Sequence, residues 1–123
     1  TMYEGSSVDP KIIDKVKEHT KNKKCVMVIL DSNHTHDHVL EELKVYSPLV
    51  TLGSYCILPD TFIEFFPPGY SSDHNKRPWD VGNNPYTAMK AFLKENKNFS
   101  IDKDLSNKGV ITETIEGYLK RIS

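Results

Sequence analysis

The stretch that most restricts the fold runs from Cys25 to Leu40. An unbroken apolar run, Val26 to Leu30, stops at Asp31 and gives way to a polar, histidine-rich turn and then a helical pattern. Apolar runs this short and β-branched read as strands buried on both faces, as in parallel α/β sheets. Ligands of open α/β sheets bind beyond the carboxyl ends of such strands. Asp31 sits at that position.

The pattern recurs downstream. A helix beginning near Thr35 or Asp37 places Val39, Leu40, Leu43 and Tyr46 on one side, and Ser47-Pro48 stops it. After a turn at Gly53, Tyr55 to Leu58 form a second short apolar strand that ends in Pro59-Asp60-Thr61. Strand, helix and strand with short links make a βαβ unit with parallel strands. The expected fold is therefore α/β, a mostly parallel sheet with flanking helices.

The flanking segments follow the same grammar. Residues 1 to 4 read as the end of a strand. Gly5-Ser6-Ser7 is a turn, and Asp9-Pro10 supplies an N-cap and a first helical residue. Ile12, Ile13 and Val16, extended to His19, mark that helix's apolar face, and Lys21 to Lys24 suit its carboxyl end. Asn84-Pro85 opens another helix, to about Asn96, with Ala88, Met89, Phe92 and Leu93 inward. Phe99 to Asp102 alternates like an edge strand, and Asn107 to Gly109 is turn chemistry. Val110 to Thr114 is expected to form the last strand, with Tyr118 and Leu119 packing against the sheet.

Residues 61 to 84 do not fit either period. Phe62, Phe65, Phe66, Tyr70 and Trp79 alternate there with Pro67, Pro68, Gly69, Pro78 and Gly82. A connection this long in a small domain is usually functional or disordered. Its aromatics suit a substrate pocket, a local cover or an interface.

Composition narrows the function classes. The 123 residues carry 16 basic and 17 acidic side chains, which argues against a nucleic-acid surface or a polybasic membrane patch. No apolar run approaches the ~20 residues of a membrane span. Cys25 and Cys56 each fall inside a predicted strand and are expected as buried, reduced thiols of a cytoplasmic protein, with a disulfide as the alternative. The chain does not begin with Met, and a fragment of a longer protein is expected.

Three groups offer chemistry. Asp31 and Asp60 end neighbouring parallel strands and would face one crevice, where two carboxylates suit Mg²⁺ or a similar hard cation; the alternative is that one caps the following helix and the other is solvated. His34 follows Asp31 by three residues and suits a general base near neutral pH. His34 and His38 have a spacing that can bind zinc, but further ligands are not evident, and His38 reads as a packing or surface residue. Gly5-Ser6-Ser7 is an ordinary turn or a place where backbone and hydroxyls meet a ligand. It is not a phosphate loop.

Glu4 to Pro10, Leu30 to Thr35 with His38 to Leu43, Tyr46 to Val50 and Gly53 to Tyr55, together with the closing Gly117 to Arg121, resemble the cephalosporin hydroxylase family. Its members have the Rossmann-like class I S-adenosylmethionine methyltransferase fold and include rhamnosyl O-methyltransferases. The resemblance implies O-methyl transfer to a sugar or other small-molecule hydroxyl in glycan or secondary-metabolite biosynthesis, assisted by a divalent metal. It further implies that Gly5, Ser6, Ser7 and Ser32 lie at the cofactor, that Asp31 and Asp60 hold the metal, and that His34 is the base.

Two departures bear on these expectations. The family has Glu-Asp where this chain has Pro59-Asp60, so one oxygen ligand is lost. The glycine-rich cofactor loop and the ribose-binding acid are also absent, so residues 1–123 correspond to the carboxyl-terminal half of one methyltransferase-like domain, with 61–84 as a long insertion. The chain alone is expected to bind S-adenosylmethionine poorly and to leave an open sheet edge through which it could self-associate. The rival expectation is a non-catalytic remnant or binding module that keeps the fold.

Overall fold

Residues 1–109 and 111–123 are described by the structure, a computed structural model. Local chemistry starts the helices where expected. The Asp9 side chain accepts from the Lys11 amide at 2.8 Å and opens α1, Pro10–Thr20. Ile13 is buried and Ile12 and Val16 half-buried, but His19 is exposed, so the apolar face ends one turn earlier than its spacing implied. Thr35 precedes α2, His36–Tyr46, whose Val39, Leu43 and Tyr46 enter the core. Ser47–Leu49 form a short 3-10 turn at the predicted stop.

The apolar runs become strands, though shorter ones. β1 is Val28–Ile29 and β2 is Tyr55–Ile57. They pair in parallel, with Val28 opposite Cys56 and Ile29 opposite Ile57, completing the βαβ unit. The run around β1 is not buried on both faces. Val26 and Leu30 are buried, whereas Met27 and Ile29 are 53% and 55% exposed. Cys25 lies outside the strand and is exposed, and Cys56 is fully buried; both are free.

The second half of the chain reverses the sheet. α3, Pro85–Glu95, is followed by β3, Phe99–Ile101, then by a single turn α4, Lys103–Ser106, and by β4, Tyr118–Arg121. The strand order is β1-β2-β4-β3, with β4 antiparallel to both neighbours. The sheet is thus mixed and mostly antiparallel, which corrects the expectation of a mostly parallel one. Hydrophobic periodicity reports burial, not strand direction, and the reversal depends on a close approach at Gly117. A Cβ there would stand 2.2 Å from the Leu58 carbonyl oxygen. Leu58 instead donates its N–H to the Gly117 carbonyl oxygen at 2.9 Å, which brings β4 alongside β2.

Other strand expectations also change. Residues 1 to 4 form no strand and are exposed. Residues 111 to 114 form none either, and Val110 of that predicted strand lies outside the described residues. The final strand is the closing segment itself, with Leu119 fully buried between Cys56 and Ile101.

α2 and α3 pack against each other, and Leu43, Val50, Leu58, Ala88, Met89 and Leu119 form the centre of the core. Residues 61–84 are an ordered excursion. Thr61–Phe65 make a 3-10 turn, Tyr70–His74 a single π-type turn, and Asp80 and Asn83 bridge each other. Among the described residues no helix is long and apolar enough to cross a membrane.

Candidate functional site

Parallel pairing of β1 and β2 brings their carboxyl ends side by side, and the residues just beyond them converge. Asp31 Oδ1 lies 3.6 Å from His34 Nε2, and Asp60 Oδ2 lies 2.5 Å from the same nitrogen. One ligand atom from each of the three falls within 4.8 Å of the others. Asp60 adopts a left-handed backbone, with φ of 57°, directly after Pro59. Such a conformation costs a non-glycine residue of order 1 kcal/mol or more and collects at functional sites.

His34 is held on every side. Its Nδ1 lies 3.2 Å from the Ser32 carbonyl oxygen, and its ring stacks on Trp79 with centroids 4.8 Å apart. The residue is 9% exposed. Beside it a groove of about 350 Å³ is lined by Phe62, Phe66, Tyr70, Arg77 and Trp79 together with His34 and Asp60. The Arg77 guanidinium lies 5.5 Å from the Trp79 ring centre. The aromatic segment thus turns its rings toward the carboxylates.

Asp80 organises that segment. Its carboxylate accepts from the Ser72 hydroxyl at 2.5 Å, the Val81 amide at 2.7 Å, the Gly69 amide at 2.9 Å and the Ser72 amide at 3.1 Å. The Ser72 hydroxyl first, then the backbone donors, hold its carboxyl below the ordinary carboxylate range.

The three neighbouring histidines part company. His36 Nδ1 meets the Thr87 hydroxyl at 2.8 Å and ties α2 to α3. His38 Nε2 lies 3.0 Å from the Ser7 hydroxyl and 3.2 Å from that of Ser32. Only His34 faces Asp31 and Asp60, while His38 Nε2 lies 3.5 Å from Glu42 Oε1, so the three histidines do not gather at one metal site. His74 is exposed.

The residues expected at the cofactor are partly brought together. Ser7 and Ser32 hydroxyls stand 3.4 Å apart across the two loops. Gly5 and Ser6 lie exposed on the same turn, where Gly5 takes a φ of 145° that side chains rarely adopt. Beneath them is a residue the sequence reading missed. Glu42 is 2% exposed, accepts from the Ser32 hydroxyl at 2.7 Å, and has its second carboxylate oxygen without a partner. Tyr46 adds a hydrogen bond from its hydroxyl to the Ser7 carbonyl oxygen. The clue to Glu42 was its place on the α2 face beside Val39 and Leu43, a position that apolar patterning assigns to core.

These donors suit a cation better than they suit a whole cofactor. Two carboxylates and an imidazole match the ligand set of a divalent metal. Ser7, Ser32 and their turn offer hydroxyls for one part of S-adenosylmethionine, and the sequence has no glycine-rich turn for the rest.

Comparison with known proteins identifies the family. The sequence profile of the family described as rhamnosyl O-methyltransferase/CmcI matches residues 1–122. Rhamnosyl O-methyltransferases of Mycobacterium tuberculosis (strain H37Rv) and Mycobacterium bovis (strain BCG Pasteur) are 33% identical over 98% of this chain and 46% of their own length. That of Mycobacterium leprae is 30% identical over 76% of this chain and 38% of its own. The chain therefore spans less than half the length of these relatives. No solved structure gives a significant match. With the profile covering nearly every residue, the chain belongs to the rhamnosyl O-methyltransferase/CmcI family.

Proposed function

We propose that this chain carries the acceptor-handling half of an enzyme that transfers a methyl group from S-adenosylmethionine to a sugar hydroxyl. The observation that carries the reading is the convergence of Asp31, His34 and Asp60 beyond β1 and β2, at the mouth of an aromatic groove. Relatives named for rhamnosyl O-methyl transfer supply the reaction class. Family membership supports use of S-adenosylmethionine.

The groove suits a sugar. A pyranose presents C–H faces that pack on aromatic rings and hydroxyls that need polar partners. Phe66, Tyr70 and Trp79 supply the rings, and Ser71, Asn75 and Arg77 the polar groups. A ring seated there would point a hydroxyl at His34 and Asp60.

Asp31 and Asp60 would hold a divalent cation, which when bound lowers the pKa of an acceptor hydroxyl. In a cation-free protein His34 is the candidate base, because its Nε2 faces the crevice and two carboxylates stand ready to balance the charge it gains. Gly5, Ser6, Ser7 and Ser32 would meet the cofactor, which when bound supplies the methyl. The groove's task is alignment, since in-line geometry supplies much of the acceleration in such transfers. The free thiols are consistent with a cytoplasmic location.

The test is methyl transfer to a rhamnoside by the protein that contains these residues, with and without a divalent cation, beside its Asp31→Ala variant. Activity should fall at least about a hundredfold in the variant, the scale of losing one electrostatic contact to the reacting group. Unchanged activity removes Asp31 from the mechanism.

A further inference from the structure

The hydrogen bonds of His34 fix its tautomer. Nδ1 faces the Ser32 carbonyl oxygen at 3.2 Å. A carbonyl only accepts, so Nδ1 carries the proton and the neutral ring has its lone pair on Nε2. That lone pair points at Asp60 Oδ2, 2.5 Å away, and toward Asp31 Oδ1, 3.6 Å away. With the ring in that neutral form, three electron-pair donors face one another, and a contact of 2.5 Å needs a positive species to bridge it. A positive species belongs at their centre.

A proton and a metal ion make different demands. One proton satisfies the His34–Asp60 contact and leaves Asp31 beyond hydrogen-bond reach. A metal ion uses all three. Ligand atoms about 2.1 Å from one ion stand about 3.0–3.4 Å apart, so side-chain rotations would draw Asp31 in from a spread within 4.8 Å and open the 2.5 Å contact between His34 and Asp60. The setting of His34 also matches a ligand. Metal-binding imidazoles almost always donate their other N–H to a carbonyl or carboxylate, which fixes the ring. Here Ser32 accepts that bond, Trp79 stacks on the ring, and the residue is 9% exposed.

From this we infer that His34 Nε2 is the third protein ligand, with Asp31 and Asp60, of a site for a first-row transition cation such as Zn²⁺ or Mn²⁺ rather than for Mg²⁺. Pro59, beside Asp60, offers no side-chain donor, so the third position falls to nitrogen. Imidazole suits transition cations, while Mg²⁺ favours oxygen and keeps its waters. With the cation bound, Nε2 has no lone pair left for proton transfer, and His34 ceases to be the base. The methyl-transfer reading supplies only what the cation is for, because binding itself is measurable with no acceptor present.

The experiment is Zn²⁺ and Mg²⁺ titration of the 123-residue chain by calorimetry, in a Cys25→Ser background that removes the exposed thiol. His34→Gln should weaken Zn²⁺ binding by at least about tenfold, the lower range for disturbed metal sites, and leave Mg²⁺ affinity within about twofold. Asp31→Asn, at an exposed position, should weaken both. Imidazole ¹⁵N spectra give a readout that needs no variant. On saturation with Zn²⁺ the His34 Nε2 resonance should move while Nδ1 stays protonated. A Zn²⁺ affinity that ignores His34→Gln, or an Nε2 resonance that does not move, overturns the inference. So does absence of Zn²⁺ binding by the parent, an outcome that leaves cation-free methyl transfer standing.

Discussion

Two cysteines in one small domain meet opposite environments, and the difference has a pH consequence. Cys25 is exposed, whereas Cys56 is fully buried on β2. Burial first, then the negative charge of Glu42, push the Cys56 thiol up from 9.0 to about 12. The unfolded chain therefore releases this proton at lower pH than the folded one. Stability from the buried thiol is complete below pH 9 and is lost as pH rises toward 12. At pH 8 one thiol should react quickly with an alkylating reagent and the other only on unfolding. Melting curves of the parent and of Cys56→Ala should diverge in slope between pH 9 and 11, and parallel curves would sink the account. At this scale the sequence was legible where chemistry coincided with a strand end, as at Asp31 and Asp60. It was silent where a residue's role depends on a partner far along the chain. Trp79 meets His34 across a long excursion, and the burial of Glu42 depends on the Ser32 turn folding over it.

Elements were legible in proportion to how local their determinants are. Asp9-Pro10 and Asn84-Pro85 start helices by contacts within one turn, and both do so. The final strand depends on Gly117 meeting Leu58, a contact no periodicity encodes. Asn84 shows a cap serving more than its helix. Its Oδ1 accepts from the Tyr86 and Thr87 amides at 2.9 and 3.3 Å, while its Nδ2 donates to Glu64 at 2.6 Å and to the Asp80 carbonyl at 2.9 Å. The cap thus fastens the aromatic excursion to α3. Replacing a capping Asn by Ala costs about 0.5–2 kcal/mol. Asp is normally an equal cap, but here it would set a second carboxylate against Glu64 and lose both donated bonds. Asn84→Asp should therefore destabilise the chain in urea at least as much as Asn84→Ala. If Asn84→Asp unfolds at the parent's midpoint, the cap acts alone and the link to Glu64 contributes nothing.

For the molecule as a whole, the sheet has one end whose chemistry is unfinished. Among the described residues β1 pairs only with β2, which leaves its other edge without a strand partner. Met27 and Ile29 stand exposed along the same strand, and Met2 is 94% exposed near the amino end. An open edge bearing apolar side chains is a template for another strand. The relatives are more than twice as long as this chain. In the 123-residue chain the available cover is a second copy. Sedimentation should accordingly show association that rises with concentration over the micromolar range. Ile29→Lys places a charge at the exposed end of the edge without touching the core, and it should shift the chain to monomer with its thermal midpoint nearly unchanged, as for surface substitutions within about 0.5 kcal/mol. The carboxyl end of this same strand carries Asp31, so a partner strand would approach the candidate metal site. Zn²⁺ affinity measured at high and low protein concentration then reports whether the copy reaches that far. A chain that stays monomeric at hundreds of micromolar, with Ile29 in place, would mean that β1 protects its own edge.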